Sequence, residues 1–448
     1  MLSSWQRWWA NDDDDDDGCL ETGAGRGGGL GVLSVGRLPT TALLTQCNAR
    51  HQGGKMSAVV VFAVFLLICT ILKFLNVTSP PRPPRLVCSD SKFLEVILKH
   101  CPHLKETYVP VRLWGSSGHL QTIVHATVGR TYCPNVQPRR IAVRQEDGAT
   151  VTWDVYEPTG PSQFEEDYTI AVCPGIANSS ESTYVRSLVA LACSQGYRCI
   201  VLNHLGVLPH LKITSPRVFR YGQTDEMHLM LTKYLESNPE TKFLLVGFSM
   251  GGNIITKYLG ETTRCRPKNI VGAIAICQGY DALRGLQSLL GWHNLARIYL
   301  FSMTENMRSV IIKHKGILLT EEVKRKHNID ERRVLTAATL PELDEVYTRR
   351  IFGFRSVEEL YRTDSSANYM HNIHVPMVFI NAKDDPLVHP DLLSIPESFV
   401  STHKNSLYIE TEHGGHLGYY DDGYLIPRAV TWLDRTVLSL VTALASNQ

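Results

Sequence analysis

The 448-residue chain carries 45 basic and 44 acidic side chains, for a formal net charge of +1 with histidines neutral. That balance has no electrostatic footprint for a nucleic acid, which is not an expected partner. The 11 cysteines form neither C-x-x-C pairs nor Cys/His metal spacing, so no metal and no organic cofactor is implied.

Residues 1–55 differ in kind from the rest. An aspartate run fills 12–17 and glycine is frequent from 23 to 31, a composition that cannot bury enough apolar surface to offset the entropy of ordering it. A disordered acidic and glycine-rich extension is expected. Residues 58–72 then contain no charge, and with Lys73 snorkelling to the interface the segment 57–77 is long enough to cross a bilayer. Lys-Phe-Leu-Asn follows the apolar core where a cleavage site would place small residues. An uncleaved, single-pass signal anchor is predicted. Arg37, Arg50 and Lys55 flank it on one side and Lys73, Arg82, Arg85 and Lys92 on the other, so charge leaves the orientation open.

Pro80, Pro81, Pro83 and Pro84 make a semi-rigid spacer, and residues 78–110 are read as a membrane-proximal segment with a helix near 93–100. The catalytic domain is expected over 111–445. Within it, apolar alternation around the Asp147-Gly148 turn predicts an antiparallel hairpin of 140–143 with 150–156. Strands are then read at 168–173, 198–203, 242–248, 270–277, 376–381 and 405–410, with helices between them, including 224–235 and 427–445. Such alternation implies a mainly parallel sheet with helices on both faces. Residues 281–361 lack strand alternation and are read as a helical cap, whose Leu289, Leu290, Trp292, Tyr299, Leu300, Phe301 and Met303 are candidates to line an acyl-binding cleft.

Gly247-Phe248-Ser249-Met250-Gly251 follows the run at 243–246 and precedes a helix-like stretch. This is a G-x-S-x-G nucleophile elbow in the strand-turn-helix setting that lifts a serine hydroxyl to the top of a sheet. The fold class is therefore α/β, an α/β-hydrolase fold. Its chain order of Ser, then Asp, then His is met by the turn after 376–381 and by the glycine-rich loop after 405–410. Asp385 is preferred to its neighbour Asp384 because Asp385-Pro386-Leu387-Val388 has the D-x-x-V form. His416 is preferred to His413 because Gly414-Gly415 lets its loop approach closely. For the oxyanion, one N–H should come from Met250 and a second from the loop after 168–173, at Ile176 or at Gly175. H-x-x-x-x-D, as His416 to Asp421, also matches a pattern read in acyltransferases.

The stretches VGFSMGGNIITKYLGE at 246–261, VCPGIANSSE at 172–181, LNHLG at 202–206, NAKDDPLVH at 381–389, HGGHLG at 413–418 and WGSSGHLQT at 114–122 closely resemble the AB-hydrolase type 4 family. The resemblance runs from about residue 57 to the C terminus, and residues 1–55 depart from it. It implies a lipid ester substrate of the monoacylglycerol class, short-chain esterase activity, membrane lipids as partners and a steroid ligand that modulates hydrolysis. It also implies a type II protein of the plasma membrane or a secretory-pathway membrane. The family triad falls on Ser249, Asp385 and His416. Asn76 and Asn178 head glycosylation sequons, usable only on a luminal or extracellular side. Two other readings use the same fold: a lipid acyltransferase working through the same acyl-enzyme, and a catalytically silent membrane receptor.

Overall fold

A computed structural model describes residues 58–263, 265–291 and 295–447. The N-terminal extension, Ser57 and Trp292 lie outside the described residues. The chain divides into two units between Ile68 and Cys69. An 18-residue helix, Ala58–Leu75, has Lys73 in its last turn and no buried residue. It is about 27 Å long at a rise of 1.5 Å per residue, and by length and composition it is able to cross a membrane.

The second unit is built on nine strands: β1 (Arg85–Val87), β2 (Arg139–Arg144), β3 (Thr150–Tyr156), β4 (Tyr168–Cys173), β5 (Arg198–Asn203), β6 (Lys242–Phe248), β7 (Ile270–Ile276), β8 (Met377–Ala382) and β9 (Ser406–Thr411). They form one sheet in the order β1-β9-β8-β7-β6-β4-β5-β3-β2. The strands from β5 to β9 are parallel, while β1 at one edge and the β3-β2 hairpin at the other are antiparallel. Every residue of β4, β8 and β9 is buried, because a parallel strand covered on both faces needs no polar side.

Alternate side chains build two cores. Ile170, Val172, Leu244 and Val246 face the helices Ser91–His100, Thr183–Ser194 and Trp432–Ser446. Ala171, Cys173, Phe243 and Leu245 share the opposite core with helices Asp225–Ser237 and Met250–Gly260 and with the cap. The cap is inserted between β7 and β8. From Ala282 to Asp364 its described residues are helices and turns, among them Ala282–Leu289, Ala296–Lys313 and Val357–Asp364.

Two boundaries differ from the sequence reading. Part of the segment read as spacer belongs to the sheet, since Arg85, Leu86 and Val87 pair with Glu410, Ile409 and Tyr408. Phe93, Ile97, Cys101 and Leu104 are buried beside the C-terminal helix. A three-residue edge strand among prolines has no periodicity to betray it, as prolines are tolerated at sheet edges. The last helix begins at Trp432 rather than at Pro427. Thr431 stops it there: its hydroxyl accepts the Asp434 N–H at 3.3 Å and the Asp434 carboxylate accepts the Thr431 N–H at 3.3 Å, a reciprocal cap. Thr431→Ala should lower the unfolding free energy by about 1 kcal/mol, read as an earlier denaturant midpoint, with Thr431→Ser restored. An unchanged midpoint would show that the cap contributes nothing.

Candidate active site

β6 delivers the chain to Ser249, whose backbone sits at φ 54° and ψ −116° before helix Met250–Gly260 begins. A residue with a side chain rarely adopts that conformation. The Ser249 N–H donates to Ile276 O at 2.8 Å and the Asn253 N–H to Ser249 O at 3.2 Å, which fixes the turn. Both elbow glycines are needed for close backbone approach. A Cβ on Gly247 would collide with Gly251 O, and one on Gly251 with the carbonyl oxygens of Cys173 and Pro174.

His416 reaches this hydroxyl from the loop after β9, with Nε2 2.8 Å from Ser249 Oγ. Its Nδ1 lies 2.8 Å from Asp385 Oδ2. An ionised carboxylate only accepts, so Nδ1 carries the proton and Nε2 is left to take one from the serine. The other Asp385 oxygen accepts the N–H groups of Leu387 at 2.8 Å and Val388 at 3.2 Å, which is the physical content of the D-x-x-V form. The His loop rests on helix Gly118–Thr127. A Cβ on Gly415 would collide with Gly118 O, and the His416 N–H donates to Thr122 Oγ1 at 2.9 Å. Gln121 donates to the carbonyls of Gly115 and Tyr420, each at 3.0 Å, and accepts the Tyr420 N–H at 2.8 Å.

The loop after β4 closes the other side of the serine. Gly175 lies directly beside Ser249, and its N–H already donates to Tyr184 Oη at 2.9 Å. Among the described residues no acceptor takes the N–H of Ile176 or of Met250, so these two are the donors available to an oxyanion. The buried imidazole of His204 is lowered to about 4 by desolvation. Neutral near pH 7, it donates Nε2–H to Pro174 O at 3.0 Å and steadies the loop. Asn178 is part of the same turn: its amide donates to Ile176 O at 2.8 Å and its oxygen accepts from Ser182 Oγ at 2.9 Å. Asn76 is engaged likewise, its amide donating to Ser116 O at 3.1 Å.

The neighbouring pair, Asp384 and His413, is turned elsewhere. Asp384 Oδ1 accepts the Gly415 N–H at 2.8 Å, and Oδ2 lies 3.6 Å from His413 Nδ1. Burial raises the Asp384 carboxyl despite the nearby imidazole and the Gly415 N–H. Desolvation lowers His413, but the Asp384 carboxylate together with the Pro80 backbone and Glu412 raises the imidazole overall. This pair braces the loop from beneath. Cys277, behind the site, places its sulfur near Asp385 and His416 in the described residues' one cluster of metal-type donors. Both imidazole nitrogens of His416 are already engaged and burial raises the Cys277 thiol, so the donor set does not suit a metal.

Ser249, Met250, Ile176 and His416 open onto a cleft that also touches Leu286, Leu289, Leu300, Met303, Met307 and Leu392. Its empty space, open solvent included, is about 1060 Å³. Of the cap residues read as lining, Leu289, Leu300 and Met303 do so. Leu290 and Phe301 are exposed at the surface instead, and Tyr299 stacks on His119. Nothing in the sequence pattern singles out Thr122, Gln121, Tyr184 or His204. The WGSSGHLQT and LNHLG stretches that contain three of them carry only the family resemblance.

Residues 168–423 match the family model described as the alpha/beta hydrolase fold. The chain is 47% identical over 389 residues to abhydrolase domain-containing protein 2 of Drosophila melanogaster, covering 87% of this chain and 97% of the fly protein. It is 40% identical over 385 residues to monoacylglycerol lipase ABHD2 of Homo sapiens, covering 85% and 90%. It is 27% identical over 378 residues to phospholipase ABHD3 of Mus musculus, covering 83% and 86%.

The divergence of the two adjacent aspartates is testable. Asp385→Asn should slow phosphonylation of Ser249 by a fluorophosphonate probe by on the order of 10³-fold or more, because the imidazole loses its tautomer. Asp384→Asn should cost far less. Equal losses, or the reverse order, would assign the orienting role wrongly.

Proposed function

The chain belongs to the alpha/beta hydrolase fold family, and from that premise we propose that it is a membrane-anchored serine hydrolase that cleaves carboxylic esters of the monoacylglycerol class. The observation that carries the reading is the hydrogen-bonded chain from Asp385 through His416 to Ser249, set at an apolar cleft. The substrate class is supported by the 40% identical relative that bears the name monoacylglycerol lipase.

The steps follow from the geometry. Ser249 Oγ attacks the ester carbonyl while His416 Nε2 takes its proton, and Asp385 stabilises the imidazolium that forms. The Met250 and Ile176 N–H groups receive the carbonyl oxygen as it gains negative charge. The intermediate collapses to an acyl-Ser249 ester as His416 returns the proton to the departing glycerol oxygen. Water, deprotonated by His416, then releases the fatty acid. Leu286, Leu289, Leu300 and Met303 offer the acyl chain an apolar lining.

The acyltransferase pattern gains no support. Asp421 lies buried with its carboxylate accepting the Trp432 N–H at 2.8 Å and paired with Arg435 at 2.6 Å, where it caps the last helix. The silent-receptor reading is opposed by the assembled hydrogen bonds at Ser249. For the membrane, helix Ala58–Leu75 serves as a single-pass anchor, and the type II orientation rests on the family resemblance. The sequons do not add to it, because the amides of Asn76 and Asn178 are each already hydrogen-bonded to a backbone carbonyl.

Ser249→Ala should abolish fluorophosphonate labelling and reduce hydrolysis of a long-chain monoacylglycerol by on the order of 10⁴-fold or more. The parent should prefer monoacylglycerol to phosphatidylcholine. Labelling that persists in a folded Ser249→Ala protein, or a preference for phospholipid, would contradict the proposal. The anchor is checked separately: full-length protein should stay with membranes in alkaline carbonate, and deletion of residues 57–77 should release it.

A further inference from the structure

Tyr424, Leu425 and Ile426 are 69%, 56% and 75% exposed, three adjacent apolar side chains at the tip of a loop. Their backbone is not loose. Tyr424 O accepts the Leu113 N–H at 3.0 Å and Gly423 O the Arg112 N–H at 3.2 Å. Leu425 O accepts the Trp114 Nε1–H at 2.8 Å, and Asp422 pairs with Arg428 at 2.6 Å. A tip held this firmly presents its apolar side chains outward by construction, and such a patch rimmed by charge marks an interaction surface.

The segment that holds the tip also holds the end of the apolar helix. Ser116 O accepts from the Asn76 amide at 3.1 Å, and His119 stacks on Phe74 with ring centroids 5.6 Å apart and planes 8° from parallel. His119 also stacks on Tyr299 at 5.8 Å, with Nδ1 2.8 Å from the phenol oxygen. Tyr299 lies on helix Ala296–Lys313, whose Leu300 and Met303 line the cleft and whose Ile298 is exposed. Residues 113–119 therefore join three things: the end of the candidate anchor, the apolar tip and the wall of the cleft.

We propose that the Tyr424, Leu425 and Ile426 tip inserts into the lipid interface of the membrane that holds helix Ala58–Leu75, so that the cleft wall lies at the bilayer and the lipid ester reaches Ser249 without crossing bulk water. This rests on the membrane-anchored reading above. Tyr424 is of a residue type that settles at a bilayer interface. A second copy of the chain fits the tip less well, since a stable protein interface buries roughly 800 Å² per partner and three side chains supply only a fraction of that.

The test uses the full chain in phosphatidylcholine vesicles. Leu425→Asp with Ile426→Asp should lower kcat/KM for vesicle-embedded monoacylglycerol on the order of tenfold, while hydrolysis of water-soluble p-nitrophenyl acetate stays within about twofold because Ser249 and its partners are untouched. A readout independent of catalysis is the added fluorescence of Leu425→Trp, which dibrominated phosphatidylcholine should quench. Absence of quenching would overturn the proposal, as would equal vesicle rates or a loss on both esters. A change in oligomeric state without a vesicle-specific loss would assign the tip to a second copy and also overturn it. Absence of esterase activity in the parent would count against the hydrolase reading alone, leaving the quenching result to decide the membrane contact.

Discussion

At Gly251 the first turn of a helix lies against the carbonyl oxygen of Cys173, at the end of the neighbouring strand, with no room for a methyl group between them. That approach forces the reversal at Ser249 and holds its backbone in a conformation that would otherwise relax. It also fixes where two chains meet. Cys173 and Gly247 are register partners in β4 and β6, so the residues that follow the two strands, Gly175 and Ile176 after β4 and Ser249 and Met250 after β6, converge on one point. The candidate nucleophile and both candidate oxyanion donors thus share a single packing constraint. Asp385 and His416 follow β8 and β9 of the same parallel sheet and arrive at its same carboxyl edge.

Orientation of the imidazole depends on a second layer far away in sequence. Helix Gly118–Thr127 supplies Thr122 to the His416 N–H and Gln121 to the backbone at Tyr420, and it packs so closely that Gly415 and Gly118 admit no side chain. The Asp384 and His413 pair locks the start of the same loop, with Ser79 Oγ 3.3 Å from His413 Nε2. The chain that leaves the apolar helix therefore touches the loop that carries the imidazole. Rigidity at His416 is built from buried groups that hydrogen-bond the backbone of its loop, Thr122 Oγ1 at the His416 N–H and Asp384 Oδ1 at the Gly415 N–H, which is what a fixed proton-transfer geometry requires.

Strong periodicity and turn chemistry made much of this readable in advance. The parallel strands announce themselves as buried β-branched and aromatic runs, and the D-x-x-V form separates Asp385 from Asp384 because its N–H groups bind one carboxylate oxygen. What stayed hidden depends on long-range contact. Strand β1 exists only because β9 presents an edge to it, and Thr122 and His204 acquire roles from partners 294 and 30 positions away. The cap was legible as an insertion, yet which of its apolar residues face inward was not. Leu300 and Met303 line the cleft while Phe301 between them points to solvent, a helical-face distinction that needs the helix's neighbours to be known.

The most direct measurement is of the covalent intermediate. Full-length protein is mixed with a long-chain monoacylglycerol, quenched in acid within the first turnover, digested, and the peptides are weighed. The expected result is the mass of one fatty acyl group on the peptide containing Ser249, absent from Ser249→Ala and accumulating if deacylation is slowed. An acyl group on any other residue, or hydrolysis at full rate with Ser249 never modified, would contradict the assignment of Ser249, His416 and Asp385 as the reacting chain.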